Sequence, residues 1–235
     1  MDVIGQALLE SMAMLWTLDP RLIDVIVLSL KVSLSAVVIA SIIGVPVAAC
    51  LTMTRFPGRK IILVVFNALM GLPPVVVGLV VYLLLSRSGP FGVFNLLFTP
   101  TAMIIAQVVL VTPIIVSLAR ESLESMRIEY HDTLRSIGAS PLQAMMVILW
   151  DGRFTLATAH LAGFGRAIAE VGAVMIVGGN IDHLTRVMTT AIALEASKGD
   201  LVVALALGVV LVLLSLSVNV LVTVLRAVGE VRAAS

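Results

Sequence analysis

The sequence predicts an all-α, polytopic membrane protein with about five transmembrane helices, on three observations. Of the 235 residues, 60% are hydrophobic and 12% charged, and the mean hydropathy is +1.15. A water-soluble domain of this length has too little interior to hide so much apolar side chain. Residues 25–53, 61–85, 102–118, 154–177 and 201–225 are each long and apolar enough to cross a hydrocarbon core as helix, which takes roughly 17–25 residues. On that five-span map the basic residues divide unevenly. Arg55, Arg59, Lys60, Arg120, Arg127, Arg135, Arg153, Arg226 and Arg232 share one side, against Arg21, Arg87, Arg186 and Lys198 on the other. An excess of Lys and Arg marks the cytoplasmic side, so the N-terminus is expected outside and the C-terminus inside.

Residues 1–20 form an outer-surface segment and 21–235 the transmembrane domain. In the first, Ile4, Leu8, Met12 and Leu15 recur at helical spacing, which predicts a short amphipathic helix on the membrane surface, ended by Asp19 and Pro20. No Lys or Arg precedes Arg21, a pattern wrong for a cleaved signal peptide. The first span carries Lys31 in its outer third. Its side chain either snorkels toward the headgroups or presents a cation to an anion path.

A basic turn leads into the second span, where Pro73 and Pro74 remove two backbone donors and prevent regular helix. Such a break is tolerated in lipid only where protein or water satisfies the freed carbonyls, so this one is expected to face the interior and to hinge. Pro113 is expected to interrupt the third span too. The fourth is rich in Gly and Ala, a composition that brings helices close together. At its centre Arg166 and Glu170 stand four residues apart, on one helical face. They either neutralise each other inside the bundle or mark a path or gate. Gly178, Gly179 and Asn180 end that span. Residues 185–197 read as a short outer helix, with Asp200 as N-cap of the fifth span.

Several chemistries find no support. There is no GxxxxGK[ST] loop to cradle a triphosphate, and His131, His160 and His183 are too scattered for a metal site. No hydrolytic triad is present, and Cys50, the only cysteine, excludes a disulfide framework. Catalytic, cofactor-binding and metal-binding residues are therefore expected to be absent. Nothing in the charge pattern calls for nucleic acid.

The most polar interval lies between the third and fourth spans, a cytoplasmic loop over about 120–153. Within it Asp132, Thr133 and Leu134 precede Gly138, Ala139, Ser140 and Pro141, with Ile148 beyond. This pattern resembles the EAA loop of ATP-binding cassette importer permeases. Asp132, Thr133 and Leu134 stand where that motif has Glu, Ala and Ala, and Trp150 and Asp151 where Leu and Pro are usual. The run from Gly71 to Gly78 and the run from Arg166 to Ala173, with Gly179 and Asn180 after it, resemble the molybdate, sulfate and tungstate permeases of that class. The run from Asn180 to Glu195 is most similar to the tungstate type.

The resemblance implies a type I importer permease fold and a transport subunit rather than an enzyme. It implies ATPase coupling through Asp132, Thr133, Leu134, Gly138, Ala139 and Ser140. It also implies a path or gate drawn from Lys31, Pro73, Pro74, Arg166, Glu170, Gly179, Asn180, Thr185 and Arg186. The expected partners are a second copy of this chain, an ATPase dimer carrying ATP and Mg, an extracytoplasmic oxyanion-binding protein and membrane lipid. The expected location is a bacterial or archaeal cytoplasmic membrane. Tungstate is the cargo implied, with molybdate and sulfate as alternatives, and an ATP-independent carrier or channel is the reading from another class. The outer acids Asp2, Glu10, Asp19, Asp24, Asp182, Glu195 and Asp200 outnumber the four outer bases, a balance that repels a free anion and favours delivery by a binding protein.

Overall fold

The computed structural model describes residues 3–17, 19–54 and 56–233. Asp2, Leu18 and Arg55, and the side chains of Ile4, Arg226 and Arg232, lie outside the described residues. Among the described residues there is no strand.

Helix α1 (Val3–Trp16) lies against α11 (Leu201–Ala233). Ala7 and Ser11 are buried, while Leu8, Leu9, Met12 and Trp16 are exposed, so part of its apolar surface is turned away from the protein. Asp19 caps α2 (Pro20–Met53) by accepting from the Arg21 N–H, with Pro20 at the first helical position. That hydrogen bond holds the Asp19 carboxyl below the ordinary carboxylate range. Helices α2, α5 (Pro100–Glu129) and α11 are long and apolar enough to span a membrane. Two bent pairs complete five spans if each pair counts as one: α3 (Arg59–Leu69) with α4 (Pro74–Leu85), bent by 103°, and α8 (Arg153–Ile168) with α9 (Gly172–Gly178), bent by 59°. Between α5 and α8 come α6 (His131–Ser136) and α7 (Pro141–Asp151), and α10 (Met188–Lys198) precedes α11.

Helix α5 is the centre of the bundle, in contact with α2, α3, α4, α8 and α9. Its buried side chains run through three apolar clusters, with Met103 and Ala106 in the first, Val111 and Ile115 in the second, and Ala119 and Leu123 in the third. Pro113 does not interrupt α5, contrary to the sequence expectation. A proline within a helix costs about 3 kcal/mol through its missing donor and its clash with the preceding turn. Pro113 is buried in a helix held by α2 and α8, and tertiary contact keeps the helix continuous there.

Two further boundaries differ from the expectation. The fourth span is not continuous, because it breaks at residues 169–171, so Glu170 lies just beyond the end of α8 rather than on its face. The polar interval is mostly helix: α5 extends to Glu129, and α6 and α7 follow after short turns. The outer helix begins at Met188 and is closed by Gly199 in the left-handed region at φ 83°, while Asp200 accepts from the Val203 N–H as expected.

Candidate functional site

The polar interval folds as a helix–turn–helix, α6 and α7. Gly138 adopts φ 68° between α6 and α7 and nothing lies within 4 Å of a Cβ built there, so the turn needs glycine for its backbone angle rather than for space. The Gly138 and Ala139 N–H groups donate to the Arg135 and Leu134 carbonyls. Ser140 then starts α7 with a capping box: its hydroxyl accepts from the Gln143 N–H at 3.4 Å, and Gln143 Oε1 accepts from the Ser140 N–H at 2.8 Å.

Ile148 fixes this element to the bundle. It is buried with Ala48 and Ala49 of α2, Ala119 and Leu123 of α5, and Leu156 of α8. Gly152 makes the close turn into α8, where a Cβ would come within 2.7 Å of the Ile148 carbonyl. Helices α7 and α8 are thereby packed closely at this turn. The outer side of the element stays uncovered: Asp132 and Thr133 are exposed, Ile137 is 71% exposed and Trp150 70%. Leu134 is half-buried against the Ile148 cluster. Burial raises the Tyr130 phenol pKa, and the Asp151 and Glu129 charges push the same way.

An ionic clasp lies beside it. Arg59 donates through Nε to the Leu51 carbonyl at the end of α2 and pairs through Nη2 with Glu124 Oε2 at 3.1 Å; Arg127 reaches Glu124 Oε1 at 2.7 Å. The start of α3 is thereby tied to both long helices, although none of its side chains is buried.

The two breaks are built differently. At the first, Pro73 is extended and accepts through its carbonyl from the Val76 and Val77 N–H groups, while Pro74 starts α4. At the second, side chains satisfy the freed backbone. Gln107 Nε2 donates to the Ala167 carbonyl at 3.0 Å and Thr189 Oγ1 to the Glu170 carbonyl at 2.7 Å. Glu170, 3% exposed, accepts from the Ala173 N–H at 3.1 Å and pairs with Arg166 at 3.0 Å, which is 37% exposed. The half-helices beyond the breaks, α4 and α9, meet backbone to backbone, since a Cβ on Gly78 would lie 2.8 Å from Ala173 Cα. Gln107 and Thr189 were not foreseen, because a polar residue inside an apolar helix carries no label for the distant carbonyl it serves.

Just beyond α9, Gly179 and Asn180 both take positive φ, 72° and 51°, and the Phe98 ring covers Gly179. Thr185 is fully buried, donating to the Gly178 carbonyl and accepting from the Ile181 N–H, so it shapes the turn. Lys31 and Arg186 do line a cavity, of about 600 Å³, between α2, the segment before α10, and α11. A larger groove of about 1320 Å³ lies between α5, α8 and α11, with Ser122, Ser125, Thr158 and Asn219 in its walls. Among the sequence candidates, the structure brings together Arg166 with Glu170, Lys31 with Arg186, and the six residues of the α6–α7 element; Arg166 and Glu170 are not in the walls of the cavity that Lys31 and Arg186 line.

A helical membrane bundle with two broken spans, joined at one end to a rigid helix–turn–helix, defines the membrane component of a transport system. Residues 22–227 match the family of binding-protein-dependent transport system inner membrane components, and the chain belongs to that family. It is 42% identical over 205 residues to a probable anion ABC transporter permease protein of Haloferax volcanii, covering 85% of this chain and 88% of that one. It is 40% identical to a tungstate uptake system permease protein of Peptoclostridium acidaminophilum, over 93% of this chain and 96% of the relative. A protein of the same description from Campylobacter jejuni is 34% identical over 93% and 92%.

Proposed function

We propose that this chain is the permease subunit of an ATP-binding cassette importer for tungstate, acting as a homodimer in the cytoplasmic membrane with its N-terminus outside. The observation that carries the coupling half is the α6–α7 element. Its outer surface is uncovered and apolar at Ile137, Leu142, Met146 and Trp150, while its inner surface is locked to α2, α5 and α8 through Ile148. An uncovered apolar surface on a rigid lever suits the docking of a separate ATPase, which supplies ATP and Mg. The likeness to tungstate permeases over nearly the whole chain supports the cargo.

In this reading ATP binding brings two ATPase subunits together and displaces α7, and Gly152 passes the motion to α8. Helices α3 and α8 then pivot at Pro73–Pro74 and at residues 169–171 to turn the path outward. Pairing of Arg166 with Glu170 keeps the centre from holding a divalent anion too firmly for release. A soluble oxyanion-binding protein delivers the cargo past the acidic outer surface.

The test is uptake into proteoliposomes holding this chain, its ATPase and an oxyanion-binding protein. Tungstate uptake is expected to require ATP and both partners. Uptake driven by an ion gradient with the chain alone sinks the importer assignment, and stronger competition by molybdate or sulfate than by unlabelled tungstate reassigns the cargo.

A further inference from the structure

We infer that each protomer holds a tetrahedral oxyanion group on Lys31 and Arg186, in a cavity whose walls do not include Arg166 or Glu170. The inference rests on the oxyanion reading above for its chemical class and on geometry for its place. Arg21, Lys31, His183, Arg186 and Lys198 line this cavity together with Asp24, Asp182, Glu195 and Asp200, over an apolar floor of Leu22, Val25, Leu28 and Leu207.

Two of these cations are already matched: Lys198 pairs with Glu195 at 3.0 Å and Arg21 with Asp19 at 3.4 Å. His183 Nδ1 lies 3.4 Å from Asp24, an ion pair only when the imidazole is protonated, and Asp200 accepts from the first turn of α11. Lys31 is exposed and, among the described residues, meets no carboxylate. Arg186 meets Asp182 through Nη1 alone at 2.8 Å, and its Nε is buried with no acceptor among the described residues. The arginine is 19% exposed and its aspartate 60%, so the cation sits further in than the acid that screens it. The cavity therefore keeps one unmatched ammonium and one half-used guanidinium, the donor set that oxyanions select.

The segments that carry the two cations are tied together. Met188, two residues after Arg186, donates its N–H to Ser29 Oγ at 2.7 Å, two residues before Lys31. The turn behind Arg186 is locked by Thr185 and by the Val187 N–H donating to Thr190 Oγ1. The cavity, of about 600 Å³, is wider than a single oxyanion needs, so water stays beside the ion and the hold is weak. Weak holding suits a station on a route, since a site that released slowly would throttle it. The same chemistry fits either a free cargo anion or the phosphate of an outer-leaflet lipid.

The test uses the full chain assembled with its ATPase in nanodiscs of zwitterionic lipid. Sodium tungstate is the probe, with bound tungsten counted by elemental mass spectrometry after equilibrium dialysis, and phosphorus per protomer counted after detergent exchange. Saturable tungstate binding is expected, weakened about tenfold by Lys31→Gln and by Arg186→Gln, largely kept by Lys31→Arg, and strengthened about threefold by Asp182→Asn, which frees the guanidinium. A gain on removing Asp182 is not the outcome of mere misfolding. If the wild type binds no tungstate but carries phosphorus that K31Q and R186Q lose, the occupant is a lipid phosphate on the same residues. If neither element changes with either variant, the site is overturned. A wild-type assembly that fails at ATP-driven tungstate uptake while K31Q and R186Q still lower binding overturns the cargo reading and leaves the site standing.

Discussion

The Met188 N–H donates to Ser29 Oγ at 2.7 Å, joining residues 159 apart in the chain, and the Ser29 hydroxyl donates onward to the Val25 carbonyl. One side chain thus serves the first turn of α10 and fixes it to α2. Ser29→Ala leaves the Met188 N–H buried without an acceptor. A loss of about 1–3 kcal/mol is expected. It is measured as a lower thermal unfolding midpoint in detergent, and Ser29→Thr, which keeps the hydroxyl, recovers most of it.

Gly138 separates strain from crowding. Nothing lies near a Cβ there, yet φ is 68°, so Gly138→Ala costs about 1–2 kcal/mol through the left-handed backbone alone. Gly138→Pro demands φ near −65° and also removes the N–H that bonds Arg135. Co-elution with the ATPase and ATP-dependent uptake are both expected to be lost in Gly138→Pro. Retention of both disproves docking at this element.

Gly78 shows the opposite case. A Cβ meets Ala173 Cα at 2.8 Å, and the Ala173 N–H is held by Glu170, so the backbone has little room to retreat. Gly78→Ala is expected to destabilise by about 1–3 kcal/mol and to lower uptake. Gly208→Ala in α11, with nothing within 4 Å of the new methyl, is the control and stabilises by up to about 1 kcal/mol.

Glu170→Ala removes the partner of Arg166 and the acceptor for the Ala173 N–H together. Removing one member of a buried pair costs about 3–5 kcal/mol, and the lower end applies because Arg166 is partly exposed. Glu170→Gln keeps a carbonyl acceptor and should fall between. Arg166→Met combined with Glu170→Met is expected to be milder than Glu170→Ala, since no charge is left alone. Unfolding midpoints of the three variants order them.

The α6–α7 element was readable before any fold was known. Its glycine, its Ser140–Pro141 start and its polar run are local signals, and local signals fix turns and caps. The proline break between α3 and α4 was readable for the same reason, because adjacent prolines forbid helix whatever surrounds them. Pro113 looked alike in sequence and behaves otherwise, since a single proline leaves one carbonyl unserved and packing on both sides of α5 outweighs that loss. The break at residues 169–171 gave no such signal. It depends on Gln107 and Thr189, which reach it from 60 and 19 residues away.

By itself the sequence determined the class, the breaker at Pro73–Pro74 and the turn at Gly138, because hydropathy and backbone chemistry act within a few residues. The tertiary structure alone decided which isolated charges meet. It turned Arg166 and Glu170 from neighbours on a helix into a pair across a break, and it set Lys31 and Arg186 in one cavity by a bond from Met188 to Ser29. Such pairings lie in the packing of distant helices, where spacing along the chain carries no distance.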